Sequence, residues 1–378
     1  MVGFLGHRAM KLLGPVLVAS FAAACSSGAA TPSPAATATV GSAAASASAA
    51  PTSGPQVTVS ILLPDNTTPR YESQDKPAIT AALTKYIPNV KVTSYNALGD
   101  GAKQLSQAEE ALTNGSKVLI VIPQDSNAAA AIVAAAHKDN VPVIAYTRII
   151  NNSPLDYFIG KDTLTIGKQE GQWIVDNTNS GDTIAVVNGS PTDQNAKLYN
   201  QGYMGILQPL FTSGERKLGG ELWTPNWDPT SAQNEMDQLL TKNADNVQAV
   251  IGPNDNMAGG VVASLTGKGL AGKVKVTGLD ATVAGLQRIM KGTQGMTVAQ
   301  DIPTMGDRAG KLASMLVAGQ TPPADFFQGT QNNGSANVPT IFVNTIIISK
   351  QNIQTVIDLG FVTKDQLCQG IPAGTSPC

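Results

Sequence analysis

Val118-Leu119-Ile120-Val121-Ile122 leads into the Ala-rich segment Asn127 to His137, which runs into Val141-Pro142-Val143-Ile144-Ala145-Tyr146 and then directly into Thr147-Arg148. A short apolar, β-branched run, an amphipathic segment of helical length and a second such run read as strand, crossover helix and parallel strand. The alternation continues in both directions. Further strands are expected over Val57 to Leu63, Val90 to Tyr95, Thr183 to Val187, Lys217 to Trp223, Val247 to Gly252, Val274 to Leu279 and Met296 to Ala299. Helices are expected over Gln104 to Thr113, Ala232 to Lys242, Met257 to Gly267 and Ala281 to Lys291. Strand alternating with helix implies parallel sheets covered on both faces, hence the α/β class. These strands are too many for one comfortable sheet, so two lobes are expected.

In open parallel sheets ligands bind beyond the carboxyl ends of the strands. The residues just past those ends are Asp65 and Arg70, Gln124-Asp125, Thr147-Arg148, Asp193 to Asn195, Trp227, Asn254-Asp255 and Asp280. Carboxylate, amide, guanidinium and indole recur there with almost no lysine. Planar polar groups give paired hydrogen bonds to vicinal hydroxyls, and an aromatic ring covers C–H faces, so this set suits a neutral polyhydroxylated ligand. Each acid also has a capping reading, because Asp193, Asp255 and Asp280 all stand just before expected helices.

Composition excludes other classes. With 378 residues, a formal net charge of -2 and no Lys/Arg block, the chain offers no basic face for nucleic acid. Of its 2 His, His7 lies in an export segment and His137 ends a helix beside Lys138 and Asp139, so metal or triad chemistry has no partners. Gly267-Lys268-Gly269-Leu270-Ala271-Gly272 matches a nucleotide-loop pattern, but a helix precedes it and a strand follows, the reverse of what phosphate binding requires. No cofactor and no enzymatic activity are expected.

At the N-terminus, Arg8 and Lys11 precede an apolar run from Leu12 to Phe21 and the small residues Ala22-Ala23-Ala24-Cys25. The run is too short to span a bilayer. It resembles a bacterial lipoprotein signal, with Cys25 as the lipidated residue; an ordinary cleaved signal with an incidental cysteine is the other reading. From Ser26 to Pro55 every residue but Val40 is Ala, Ser, Thr, Pro or Gly, which reads as a disordered tether. The folded body would then sit outside the cytoplasm, held to the membrane's outer face by lipid alone. There Cys368 and Cys378 can form a disulfide worth about 2 to 3 kcal/mol, with two free thiols as the alternative.

Four stretches carry a family resemblance: Val143 to Arg148, Gly189-Ser190-Pro191-Thr192-Asp193-Gln194-Asn195-Ala196-Lys197, Asn254-Asp255, and Thr277-Gly278-Leu279-Asp280. They resemble the aldose-binding, D-xylose-type periplasmic binding proteins of type I that serve ABC importers, over about Val57 to Leu367. The resemblance implies two Rossmann-like lobes joined by a three-strand hinge, closing on one sugar. With the signal at 1–25 and the tether at 26–55, one lobe is expected at 56–160 plus 302–333, the other at 161–301 plus 334–367, and a tail at 368–378. It implies Arg70, Tyr71 and Arg148 as contacts from the first lobe, and Asp193, Asn195, Trp227, Asn254 and Asp280 from the second, with Tyr71 facing Trp227 across the sugar ring.

The chain departs from the family pattern at Thr147, where that pattern has Asp, and at Gln300, where it has Lys. Losing one anion and one cation together reads as the exchange of a buried ion pair for a neutral pair. The resemblance implies a monosaccharide as ligand, D-xylose first and glucose or galactose next. The expected partner is an ABC permease and the expected state a monomer. A sugar sensor serving a membrane signalling partner is the alternative, while a sugar-responsive repressor would need an N-terminal helix-turn-helix and a cytoplasmic address where a signal and a tether are expected.

Overall fold

The structure is a computed structural model that describes residues 55–378, so the export segment, Cys25 and the tether lie outside the described residues. The first half runs β1 (Val57–Leu63), α1 (Lys76–Tyr86), β2 (Val90–Asn96), α2 (Gly101–Thr113), β3 (Ser116–Val121), α3 (Ala130–Lys138), β4 (Val143–Tyr146) and β5 (Tyr157–Gly160). The second half runs α4 (Thr163–Asp176), β6 (Thr183–Asn188), α5 (Gln194–Ser213), β7 (Lys217–Trp223), α6 (Pro229–Lys242), β8 (Ala249–Ile251), α7 (Asp255–Gly267), β9 (Lys275–Val276) and α8 (Val283–Lys291). The chain ends through β10 (Met296–Gln300), α9 (Ile302–Val317), β11 (Gly329–Asn332), β12 (Asn337–Phe342), β13 (Thr345–Ser349) and two short helices.

Three sheets result, in the orders β11-β12-β5-β4-β3-β1-β2, β7-β6-β8-β9 and β10-β13. Among the described residues, only the β11-β12 and β10-β13 pairs are antiparallel. Successive residues of β1 and β3 feed opposite faces of the first sheet: Ile61, Leu63 and Ile120 join one apolar cluster, while Leu62, Leu119 and Val121 join the other. That period-two division explains why these strands read as unbroken apolar runs. Every residue of β6 is likewise buried, and Ile184 to Val187 belong to the apolar cluster that fills the second layer.

Helix packing sets α5, and with it part of the cleft. The Cα atoms of Gly167 and Gly202 lie where α4 and α5 touch, and a Cβ on Gly167 would stand 2.2 Å from the Tyr199 carbonyl oxygen. Gly167→Ala should therefore cost about 1 to 3 kcal/mol through overpacking, read as a lowered urea midpoint. A midpoint equal to wild type would show that the helices separate freely.

The chain passes between layers after β5, after β10 and after β12. The last crossing corrects the expected boundary, which put residues 334–367 wholly in the second lobe. β11 and β12 form a hairpin turned at Gly334 (φ 92°), and Thr340 and Ile341 of β12 pair in parallel with Phe158 and Ile159 of β5. Residues up to Phe342 thus stay with the first sheet, and the crossing falls at Val343-Asn344.

Sequence reading did not draw β5, β11, β12 or β13, all of six residues or fewer. Conversely, the strand expected from Val274 to Leu279 forms only over Lys275–Val276, with one further bridge from Leu279 to Val298. The glycine run after Gly267 is the turn from α7 to β9. His137 is not simply solvated: its Nε2 lies 2.8 Å from Asp156 Oδ2. Cys368 and Cys378 are joined by a disulfide across a Cα distance of 5.5 Å.

Candidate ligand-binding cleft

The site begins at Arg70, at the N-terminal end of a helical turn (Tyr71–Asp75) that follows β1 and runs into α1. Its guanidinium is buried and donates through Nε and Nη2 to both carboxylate oxygens of Asp75 (2.8 and 3.0 Å). Its Nη1 donates to Asp280 Oδ1 at 3.0 Å and its Nη2 to Thr147 Oγ1 at 3.3 Å. Burial opposes this charge, but Asp75 and Asp280 outweigh it and hold the Arg70 pKa well above its ordinary value. Burial also raises the Asp75 pKa, against the pull of Arg70.

Arg148, just past β4, forms the parallel arrangement. Its Nε forms an ion pair with Asp193 Oδ2 at 2.8 Å, its Nη2 lies 3.6 Å from Asp65 Oδ2, and its Nη1 donates to the Pro123 carbonyl at 3.3 Å. The guanidinium carbon is 5.3 Å from the Tyr71 ring centre and 5.9 Å from that of Trp227. In both arrangements an arginine of the first layer reaches a carboxylate of the second.

Asp193 combines two roles that the sequence left as alternatives. Its Oδ1 caps α5 by accepting from Asn195 N at 2.8 Å, and its Oδ2 pairs with Arg148 and accepts from Trp227 Nε1 at 3.2 Å. Asn195 Nδ2 donates to the Thr147 carbonyl at 2.8 Å, a bond between the layers. Asn254 caps α7 through Met257 N at 2.8 Å. Asp280, by contrast, caps nothing; Thr282 caps α8.

Three of these residues hold backbone conformations that L-residues rarely adopt: Thr147 at φ 58°, Trp227 at 56° and Asp280 at 95°. For a β-branched residue such as Thr147 this is costly, and strain of this kind concentrates where geometry serves function.

Arg70, Tyr71, Thr147, Arg148, Asp193, Asn195, Trp227, Asn254 and Asp280 all line one cavity. Gln300 does not. It lines an adjoining cavity and reaches the first only through Asp280, donating from Nε2 to Oδ1 at 2.8 Å. The structure also corrects the reading of Thr147 and Gln300 as a neutral pair. They do not bond to each other, and a cation stands beside Thr147 after all, with Lys161 Nζ 2.9 Å from its Oγ1.

Trp227 is likewise not in an exposed loop. It is 4% exposed and meets Tyr199 edge-on, with ring centres 6.5 Å apart. Tyr71 and Trp227 flank the Arg148 guanidinium rather than facing an open gap. Sequence reading missed Lys161, Tyr199, Thr68 and Leu279, which complete the lining. Tyr199 lies one helical turn after Asn195, a spacing that alone puts it on the same face. Lys161 follows β5 and would have been found had that strand been drawn.

Two layers of parallel sheet, crossed by the chain three times and shut over polar strand ends, make the type I fold of solute-binding receptors. Residues 59–321 match the family described as periplasmic binding protein domain, and the chain belongs to that family. Among its relatives, the D-xylose-binding periplasmic protein of Haemophilus influenzae is 37% identical over 278 residues, 73% of this chain and 82% of that protein. The multiple sugar-binding periplasmic receptor ChvE of Rhizobium radiobacter is 32% identical, covering 71% of this chain and 81% of its own. A carbohydrate transporter solute-binding protein of Chloroflexus aurantiacus, solved in complex with D-glucose, superposes with a TM-score of 0.76 at 30% identity, covering 83% of this chain and 98% of that one.

Proposed function

We propose that the protein captures one neutral monosaccharide between its two layers outside the cytoplasm and delivers it, chemically unchanged, to an ABC importer. D-xylose is the first candidate. The observation that carries this reading is the pair of arginine–carboxylate bridges, Arg70 to Asp280 and Arg148 to Asp193, each spanning the layers inside one cavity. Sugar hydroxyls accept from guanidinium and donate to carboxylate, so a sugar replaces these bridges bond for bond and rewards closure of the layers.

Micromolar affinity needs about -8 kcal/mol, and hydrogen bonds to charged partners contribute roughly 1.5 to 3 kcal/mol each, so these four residues with Asn195 and Asn254 suffice after ordering costs. Relatives named for xylose support the first candidate. The relative solved with D-glucose supports glucose as the second, whether for import or for sensing.

In this reading Cys25 carries the lipid, residues 26–55 form the tether, and the receptor acts as a monomer. The layers hinge about the crossings that follow β5, β10 and β12.

Calorimetric titration with D-xylose, D-glucose and D-galactose, followed by chromatography of the recovered sugar, tests the proposal. Wild type should bind at least one of them and release it unaltered, and Asp280→Ala should bind at least tenfold more weakly. Absence of binding to all three, or an altered product, would refute it.

A further inference from the structure

Lys161 enters the cavity from the first crossing between layers. Its side chain is 4% exposed, and Nζ donates to Thr147 Oγ1 at 2.9 Å and, at 3.5 Å, to the Thr147 carbonyl. Among the described residues no ion pair joins it to a carboxylate. Both protein bonds therefore go to one neutral residue, while an ammonium carries three donors. A buried cation so weakly matched costs stability unless something else accepts from it, and this one lines the cavity.

We propose that Lys161 is a specificity-determining contact that donates to a hydroxyl of the bound sugar, so that the site selects aldoses bearing that hydroxyl over the corresponding deoxy sugar. This rests on the sugar-binding reading above. A site built to bond a hydroxyl rejects the analogue lacking it strongly, because the buried donor is then left without its acceptor.

The charges around Lys161 add a second signature. Burial and then the Arg70 guanidinium lower its pKa to about 7, against Asp280, Asp193 and Asp75, which raise it. An acceptor on the sugar favours the ammonium, so binding above pH 7 should draw a proton from the buffer, and affinity should fall as pH rises through that value.

The test is calorimetry at pH 7.5 in two buffers of different ionisation heat, using D-xylose, D-glucose and their monodeoxy derivatives on wild type, Lys161→Met and Lys161→Gln. Wild type should take up a fraction of a proton and lose at least tenfold in affinity for one monodeoxy sugar. Lys161→Met should bind the parent sugar at least tenfold more weakly, take up no proton and no longer distinguish that monodeoxy sugar. Lys161→Gln, which keeps a donor, should fall between them and covers the case in which the methionine variant does not fold.

If the variants keep wild-type affinity, proton uptake and discrimination, Lys161 only props Thr147 and the proposal is overturned. If wild type itself binds neither parent sugar, the sugar-binding reading fails, and this inference with it.

Discussion

Arg70→Met should abolish measurable sugar binding and lower the unfolding free energy by about 3 to 5 kcal/mol. Arg70 is the cation for two buried carboxylates, Asp75 and Asp280, and also a donor to Thr147. Methionine fills much of the same space but leaves both acids without their charge partner, and breaking a buried pair costs far more than the pair itself contributes. Asp75 already has a raised pKa because of its burial, and the loss of Arg70 raises it further.

The sign of the pH dependence follows. A carboxyl whose folded pKa lies above its unfolded value adds stability below the unfolded pKa, and that stability is lost as pH rises through the folded value. The deficit of Arg70→Met should therefore be larger at pH 8 than at pH 5. Urea unfolding at both values, with calorimetric titration of D-xylose and D-glucose, checks it. Stability within about 0.5 kcal/mol of wild type would mean that Arg70 is not the charge partner these distances make it.

The second large effect belongs to an acid outside the cavity. Asp255 is fully buried in the first turn of α7 and accepts from Thr282 N (2.8 Å), Thr282 Oγ1 (3.1 Å) and Gln294 Nε2 (2.7 Å). A Cβ on Gly285 would stand 2.2 Å from its Oδ2, so the carboxylate lies directly against the start of α8. Asp255→Ala strands these donors at roughly 1 to 3 kcal/mol apiece, some of it relieved by water, for a net loss of about 2 to 5 kcal/mol.

Burial raises the Asp255 pKa to about 6, with Arg288 and Gln294 opposing. Wild type thus gains stability from this group as pH falls from 6 toward 4, a gain the variant lacks. The gap between them should widen on acidification by on the order of 2 kcal/mol. Sugar affinity of the folded variant should stay within about threefold of wild type, since Asp255 supports the helix rather than the ligand. A variant as stable as wild type, or one that folds well and fails to bind, would contradict this division of labour between Asp255 and Asp280.

Much of the molecule was legible in its sequence because the relevant physics is local. The β-branched runs of β1, β3, β4 and β6 and the amphipathic stretches of α2, α6 and α7 announce themselves by periodicity, and the rule about strand ends pointed to Arg70, Arg148, Asp193 and Asp280 before any contact was visible. Strands of four residues carry too little pattern, so β5 went undrawn, and Lys161 with it. Trp227 stands among Asn226, Asp228 and Pro229, whose polarity suggests a loop at the surface. Its burial comes from α5, whose Tyr199 packs against it.

The sequence alone determined that this is an α/β chain of parallel strands and which residues stand at their carboxyl ends, because alternation and turn chemistry act between near neighbours. Only the tertiary structure decided which charge meets which. Arg70 and Asp280 lie 210 positions apart in the chain, yet their charged atoms come within 3.0 Å. Nothing local encodes that distance. It is set by three crossings, by glycines that let α4 and α5 touch, and by the exclusion of water from the buried cleft, where a charge persists only beside its opposite or beside a ligand that takes its place.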